Sequence, residues 1–142
     1  MIVDAALVID AVADPGRRGQ AARAALKSVP AAEVLRTPGH FAFEVMSGLR
    51  SAVNRPHHPL QPADLPAALQ AAAGLGIIIE GTPWPDVERA WALAQGSLRY
   101  ADAIYVAAGE RHQSALLTAN GQIEKSGAVI HCEVITISPP VP

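Results

Sequence analysis

With half of its 142 residues hydrophobic and 17% charged, this chain has the apolar content of a folded protein and not of a disordered one. Its length suits one domain with a real core rather than two. The net charge of −2 is unevenly spread: seven basic and five acidic side chains precede residue 56, and four basic and eight acidic ones follow. A uniformly basic nucleic-acid surface is thereby excluded, and a polyanion would have to meet a local patch or a bound cation. Aromatic residues make up only 4%, which suits close-packed helices on a sheet better than a base-stacking platform. The single cysteine, Cys132, excludes an internal disulfide and a thiolate zinc cluster and fits a reducing compartment. No apolar run approaches the roughly 20 residues of a membrane span. The start, Met1-Ile2-Val3-Asp4, has no basic leader, so the expectation is a soluble cytoplasmic protein without a secretory signal.

In chain order, Ile2-Val3 reads as a short buried strand with Asp4 at its carboxyl end. An apolar run from Ala5 to Ala13 stops at the turn signal Asp14-Pro15-Gly16. Gly19 to Val29 has alanine-rich helical spacing with Arg17, Arg18, Arg23 and Lys27 on a solvated face. Val34-Leu35 is read as a second strand, and Thr37-Pro38 as the N-cap and first residue of a helix reaching about Val53. Phe41, Val45, Gly48, Leu49 and Ala52 form its apolar stripe, with Glu44 at the edge of that stripe. Residues 54 to 66 hold four prolines and the pair His57-His58, hence a loop.

Leu65 to Leu75 predicts a short helix, and the β-branched run Ile77-Ile78-Ile79 a strand. Thr82-Pro83 repeats the cap-and-proline start for a helix whose buried stripe is Val87, Ala90, Trp91 and Ala94. From Tyr100 to Glu110, Ala101, Ile104, Tyr105 and Ala108 recur at the spacing of one helical face. Asp102 sits in the opening turn of that helix, where the dipole favours negative charge. Leu116-Leu117 is a buried strand leading to Asn120-Gly121, and Val134 to Ile137 is a last strand. A single domain over residues 1–137 with a Pro-rich tail, 138–142, is expected.

Short hydrophobic strands alternating with helices predict an α/β domain with a mainly parallel sheet. Sites in such sheets form at the carboxyl edge of the strands. Asp4 and Asn120 follow strands, and Glu44 and Asp102 lie on helices that begin at that edge. The spacing thus turns four scattered residues into a candidate cluster. Gly74-Leu75-Gly76 invites comparison with a dinucleotide-binding fingerprint, but the third glycine is missing and no helix start follows.

Four segments then carry a resemblance. Ile2-Val3-Asp4-Ala5-Ala6, Pro38 through Glu44-Val45-Met46-Ser47-Gly48-Leu49-Arg50, Tyr100-Ala101-Asp102-Ala103-Ile104-Tyr105-Val106-Ala107, and Leu116-Leu117-Thr118-Ala119-Asn120 occur in order across nearly the whole chain. In that order and spacing the chain resembles PIN-domain ribonucleases, and among them the VapC-type toxins of bacterial VapBC toxin–antitoxin systems. The resemblance implies a PIN-like three-layer α/β/α domain and a metal-dependent endoribonuclease acting on structured RNA such as tRNA or rRNA. It implies a homodimer held inactive by a small VapB-type antitoxin, with Asp4, Glu44 and Asp102 as ligands to Mg²⁺ or Mn²⁺.

The family pattern has four acids; here the fourth position is Asn120, an auxiliary ligand or water positioner in this reading. A second departure is Ala6, where Ser or Thr is frequent. Hard divalent cations take oxygen ligands and keep waters, so a few convergent carboxylates suffice. A bound cation lowers the pKa of its water and neutralises charge developing on the phosphate. The alternative is a catalytically impaired PIN-like module that binds RNA or protein, favoured by Asn120 and Ala6. Elsewhere, His57-His58 reads as solvated loop, Arg50, Arg55 and Arg99 as surface charge, Trp84 and Trp91 as core or dimer packing, and Cys132 as a buried inert thiol.

Overall fold

The computed structural model describes residues 1–141; Pro142, the end of the expected tail, lies outside them. Ile2–Val3 forms the central strand β1, and its two side chains define the layering. Successive residues of a strand face opposite sides of a sheet, so Ile2 joins one hydrophobic cluster and Val3 the other. β1 pairs in parallel with β2 (Arg36–Pro38) and with β4 (Leu116–Thr118), Ile2 lying opposite both Arg36 and Leu116. β3 (Ile78–Glu80) and β5 (Val134–Thr136) complete a parallel sheet of order β3-β2-β1-β4-β5.

Helices α1 (Ala5–Ala13), α2 (Arg17–Ser28), α3 (Phe41–Asn54) and α4 (Leu65–Ala73) pack on the face reached by Val3 and Leu117. Helices α5 (Trp84–Leu93), α6 (Tyr100–Arg111) and α7 (Gln122–Lys125) pack on the face reached by Ile2 and Leu116. The parallel sheet is the one that alternating strands and helices predicted, and the three-layer α/β/α architecture is the one that the family resemblance implied. Leu7, Leu49 and Leu116 are fully buried, each contributing about 1.5–3 kcal/mol relative to exposure. No helix among the described residues is long and apolar enough to cross a membrane.

Local differences from the sequence reading have pairing as their cause. The strand expected at Val34-Leu35 lies two residues later, and Thr37-Pro38 belongs to β2 rather than capping a helix. Pro38 lies opposite Glu80 of β3, and the Thr37 hydroxyl donates to the Val3 carbonyl at 2.9 Å. α3 therefore starts only at Phe41, with His40 at its N-cap, and the Phe41, Val45, Leu49 and Ala52 stripe is buried as expected. In α5 the stripe is Ala90 and Leu93 with half-buried Val87, whereas Trp91 is 67% exposed. One residue beyond Ala90, the helix has turned about 100° away from its packing partner α6. α6 is buried from Asp102 through Gly109, on every side rather than along one stripe, because it is enclosed between the sheet and α5. The turn expected after Gly121 contains the short helix α7, whose Ile123 is fully buried. In the tail, the Arg17 guanidinium donates to the Pro140 carbonyl at 2.5 Å.

Candidate active site

Because β1 and β4 are adjacent and parallel, Asp4 and Asn120 emerge at the same sheet edge. α3 and α6 bring their first turns there too. The His40 ring nitrogen lies 3.0 Å from the Ala101 carbonyl, and the His40 and Tyr105 rings meet in a tilted contact, 4.5 Å between centroids. Asp4, Glu44, Asp102 and Asn120 thus come from four separate parts of the chain to one place.

Asp4 serves two purposes. Its carboxylate caps α1 by accepting from the Leu7 backbone N–H at 3.1 Å, a favourable position for negative charge. Its other oxygen accepts from the Thr118 hydroxyl, which in turn accepts from the Asn120 backbone N–H at 2.8 Å. Only 2% of Asp4 is exposed. Burial pushes its pKa from 3.8 up to about 6, against the lowering effect of the Thr118 and Leu7 hydrogen bonds, and the charges of Asp102 and Glu44 add to the rise. Asp102 and Glu44 both lie close enough to Asp4 for their charge to act on it.

Glu44 accepts from the Tyr105 hydroxyl at 2.7 Å and lies 3.4 Å from the His40 ring nitrogen. Burial, with the Glu44 hydrogen bond and charge, pushes the Tyr105 hydroxyl well above its ordinary pKa, so it stays a donor. Asp102 is gripped by Arg99, whose Nε and Nη2 donate to its two oxygens at 3.0 and 3.1 Å. Asn120 Nδ2 donates to the same carboxylate at 3.2 Å. The orientation of the Asn120 amide follows from its other contact. The Gln122 backbone N–H donates to Asn120 Oδ1 at 3.0 Å, and an N–H faces only an acceptor, so the amide nitrogen is the end turned to Asp102. Arg99, Asp102, Asn120, Ser97, Leu98 and Gln122 line an open cleft of about 380 Å³.

The four expected site residues are therefore neighbours, while His57 and His58 are not part of the site. His57 is exposed with φ +64°, and His58 Nδ1 accepts from the Leu60 N–H. Of the arginines read as surface charge, Arg99 is at the site. Sequence reasoning assigned no role to Thr118 or Tyr105. Thr118 sits two residues before Asn120 and Tyr105 one helical turn after Asp102, so both spacings held a signal. Cys132 is half-buried rather than buried, and its thiol is pushed up to about 11, chiefly by burial.

The donors fit a hard divalent cation in kind: three carboxylates, no sulfur, and two of the acids, Asp4 and Asp102, buried where a cation would favour the ionised form. Among the described residues, no group of three His, Cys, Asp or Glu side chains is arranged to hold a metal ion as it stands. The hydrogen bonds give the reason. Asp102 is turned to Arg99 and Asn120, and Glu44 to Tyr105.

The PIN domain family matches residues 1–128, and the chain belongs to that family. Its fold is similar to that of Mycobacterium tuberculosis VapC20, a sarcin–ricin loop cleaving toxin, at 19% identity and a TM-score of 0.65, over 90% of this chain and 95% of that one. It is also similar to a chain of a toxin–antitoxin complex from Klebsiella pneumoniae, at 26% identity and a TM-score of 0.63, over 95% of each chain. No curated protein matches the chain by sequence.

Proposed function

We propose that this chain is a divalent-cation-dependent endoribonuclease, the toxin of a toxin–antitoxin pair. The observation that carries the proposal is the meeting of Asp4, Glu44 and Asp102 at one sheet edge, with Asp4 buried and coupled to both other acids. Family membership and the likeness to two toxin folds support it. Asp4, Glu44 and Asp102 would hold Mg²⁺ or Mn²⁺, which when bound supplies an activated water and neutralises charge at the phosphate. Thr118 and the α1 N-terminus fix the Asp4 carboxylate in one rotamer, and Tyr105 does the same for Glu44. Asn120 acts as a positioning residue, orienting Asp102 with its amide nitrogen.

The partners in this reading are structured RNA such as tRNA or rRNA, a small antitoxin chain and a second copy of the protein. Trp84 and Trp91, 79% and 67% exposed and two helical turns apart on α5, form an apolar strip suited to the homodimer. A second reading, a PIN-like binding module with impaired turnover, draws on Asn120, which offers Asp102 a donor where an acid would share a cation.

Cleavage of a panel of tRNA and rRNA stem-loops tests both, with Mn²⁺ or with EDTA, by this chain and by Asp4→Asn. Mn²⁺-dependent cutting that disappears in Asp4→Asn supports the nuclease. Cutting that survives Asp4→Asn sinks the assigned site, and no cutting of any substrate favours the binding module.

A further inference from the structure

Arg99 occupies a position that helix stability does not explain. It is the N-cap residue of α6, with extended backbone and no side-chain cap hydrogen bond. That position favours Ser, Thr, Asp or Asn, and a positive charge opposes the helix dipole there. Its guanidinium instead folds back over the first turn to fork onto Asp102, three residues on. The two partners differ sharply in exposure: the Asp102 side chain is 6% exposed and that of Arg99 is 70% exposed. A nearly buried carboxylate is thus neutralised by a cation that sits almost wholly in solvent, beside an open cleft.

Asp102 has about four acceptor positions. Two take the Arg99 fork and a third takes Asn120 Nδ2. Arg99 and Asp102 line the cleft together, so a divalent cation reaching this carboxylate from the cleft competes with the guanidinium for the same two oxygens. We propose that Arg99 is a displaceable internal counter-ion, which holds Asp102 while no metal is bound and must leave it for the cation to bind. The inference rests on the metal-dependent reading given above and adds to it a residue that sets metal affinity. Displacement is easy in this geometry, because an exposed guanidinium regains full hydration on leaving and only the fork is lost. Ser97, Asn120 and Gln122 line the cleft into which it swings. Released there, its charge faces solvent at the mouth of the site, where a phosphate of the RNA backbone is the natural partner.

The test is Mn²⁺ binding, measured by calorimetry and by loss of the free-ion electron paramagnetic resonance signal, without RNA and without turnover. Arg99→Gln removes the competing charge and should bind Mn²⁺ roughly fivefold tighter than the parent, the scale of an exposed ion pair. Arg99→Lys keeps the charge but cannot fork, and its affinity should fall between the two. Arg55→Gln, at the exposed C-cap of α3 and so at the opposite end of that helix from Glu44, controls for net charge and should change affinity less than about twofold at physiological salt. Equal Mn²⁺ affinity in the parent and Arg99→Gln would overturn this proposal and leave the metal-dependent function standing. An equal gain in Arg55→Gln would overturn it as well, reducing the effect to overall charge. No Mn²⁺ binding by any of the proteins would overturn both this inference and the reading on which it rests.

Discussion

Asp4→Asn should change the stability of the metal-free protein in opposite directions at low and at neutral pH. In the folded chain Asp4 is 2% exposed, and burial raises its pKa from 3.8 to about 6. Between those two values the native state holds a proton that the unfolded chain has released. Stability therefore falls as pH rises through this window, and it is recovered on acidification. A rise of about two units corresponds to about 3 kcal/mol of destabilisation fully expressed above pH 7. Asn removes that burden at every pH but disturbs one hydrogen bond. A single amide can accept from Leu7 N–H or from the Thr118 hydroxyl, not from both through two oxygens. That loss costs about 1 kcal/mol.

The net expectation is a variant about 2 kcal/mol more stable than the parent at pH 7.5 and about 0.5 kcal/mol less stable near pH 4. Urea denaturation in EDTA across pH 4 to 8 measures the difference directly. The comparison with the parent cancels other groups, such as Glu80, whose pKa is lowered by His112 and Arg36 and which loses stability as pH falls. A difference between the two proteins that stays constant from pH 4 to 8 would refute the reasoning, because Asp4 would then not titrate between its folded and unfolded values. Addition of Mn²⁺ should stabilise the parent and leave Asp4→Asn nearly unchanged.

Three further outcomes are expected. Tyr105→Phe keeps the buried ring but removes the hydroxyl that donates to Glu44 at 2.7 Å; a loss of about 2 kcal/mol in urea denaturation is expected, the scale of a hydrogen bond to a charged group, and a loss under about 0.5 kcal/mol would show that the contact carries no net stability. Asn120→Asp replaces the donor facing Asp102 at 3.2 Å with a like charge; thermal melts at pH 7.5 should show the metal-free variant below the parent by about 1–2 kcal/mol, with the gap closing in Mn²⁺. Gly19→Ala would gain about 1 kcal/mol of helix propensity, yet its Cβ would overlap the Asp14 backbone carbonyl where α2 follows the turn after α1; a net loss above about 1 kcal/mol is expected, and a stabilised variant would mean that the turn relaxes freely.

The acids of the site were legible because each lies beside a pattern that local physics recognises. Asp4 follows a two-residue apolar strand, Glu44 edges the stripe of α3, and Asp102 opens a helix whose spacing is plain. The order of the four segments carried the family resemblance, and alternation of strands with helices carried the architecture. What periodicity does not contain is the partner of each group. The start of α3 was misplaced by three residues because Thr37 and Pro38 satisfy a helix-cap pattern locally. Only pairing with β1 and β3 makes them a strand. The helical spacing puts Trp91 in the stripe of α5, although it stands 67% exposed on the side turned from α6.

The residues Asp102 and Asn120 show the same division most clearly. By itself the sequence determined that an acid opens α6 and that an amide follows the strand Leu116-Leu117, since residue type and spacing along one segment are local facts. Tertiary structure alone decided that Asn120 reaches Asp102 with its nitrogen, its oxygen being claimed by the Gln122 N–H, whereas the Arg99 fork onto the same carboxylate is a local contact three residues away. The reason is geometric: β4 and α6 meet only through the packing of sheet on helix, and a hydrogen bond between residues 18 positions apart leaves no periodic trace in the chain.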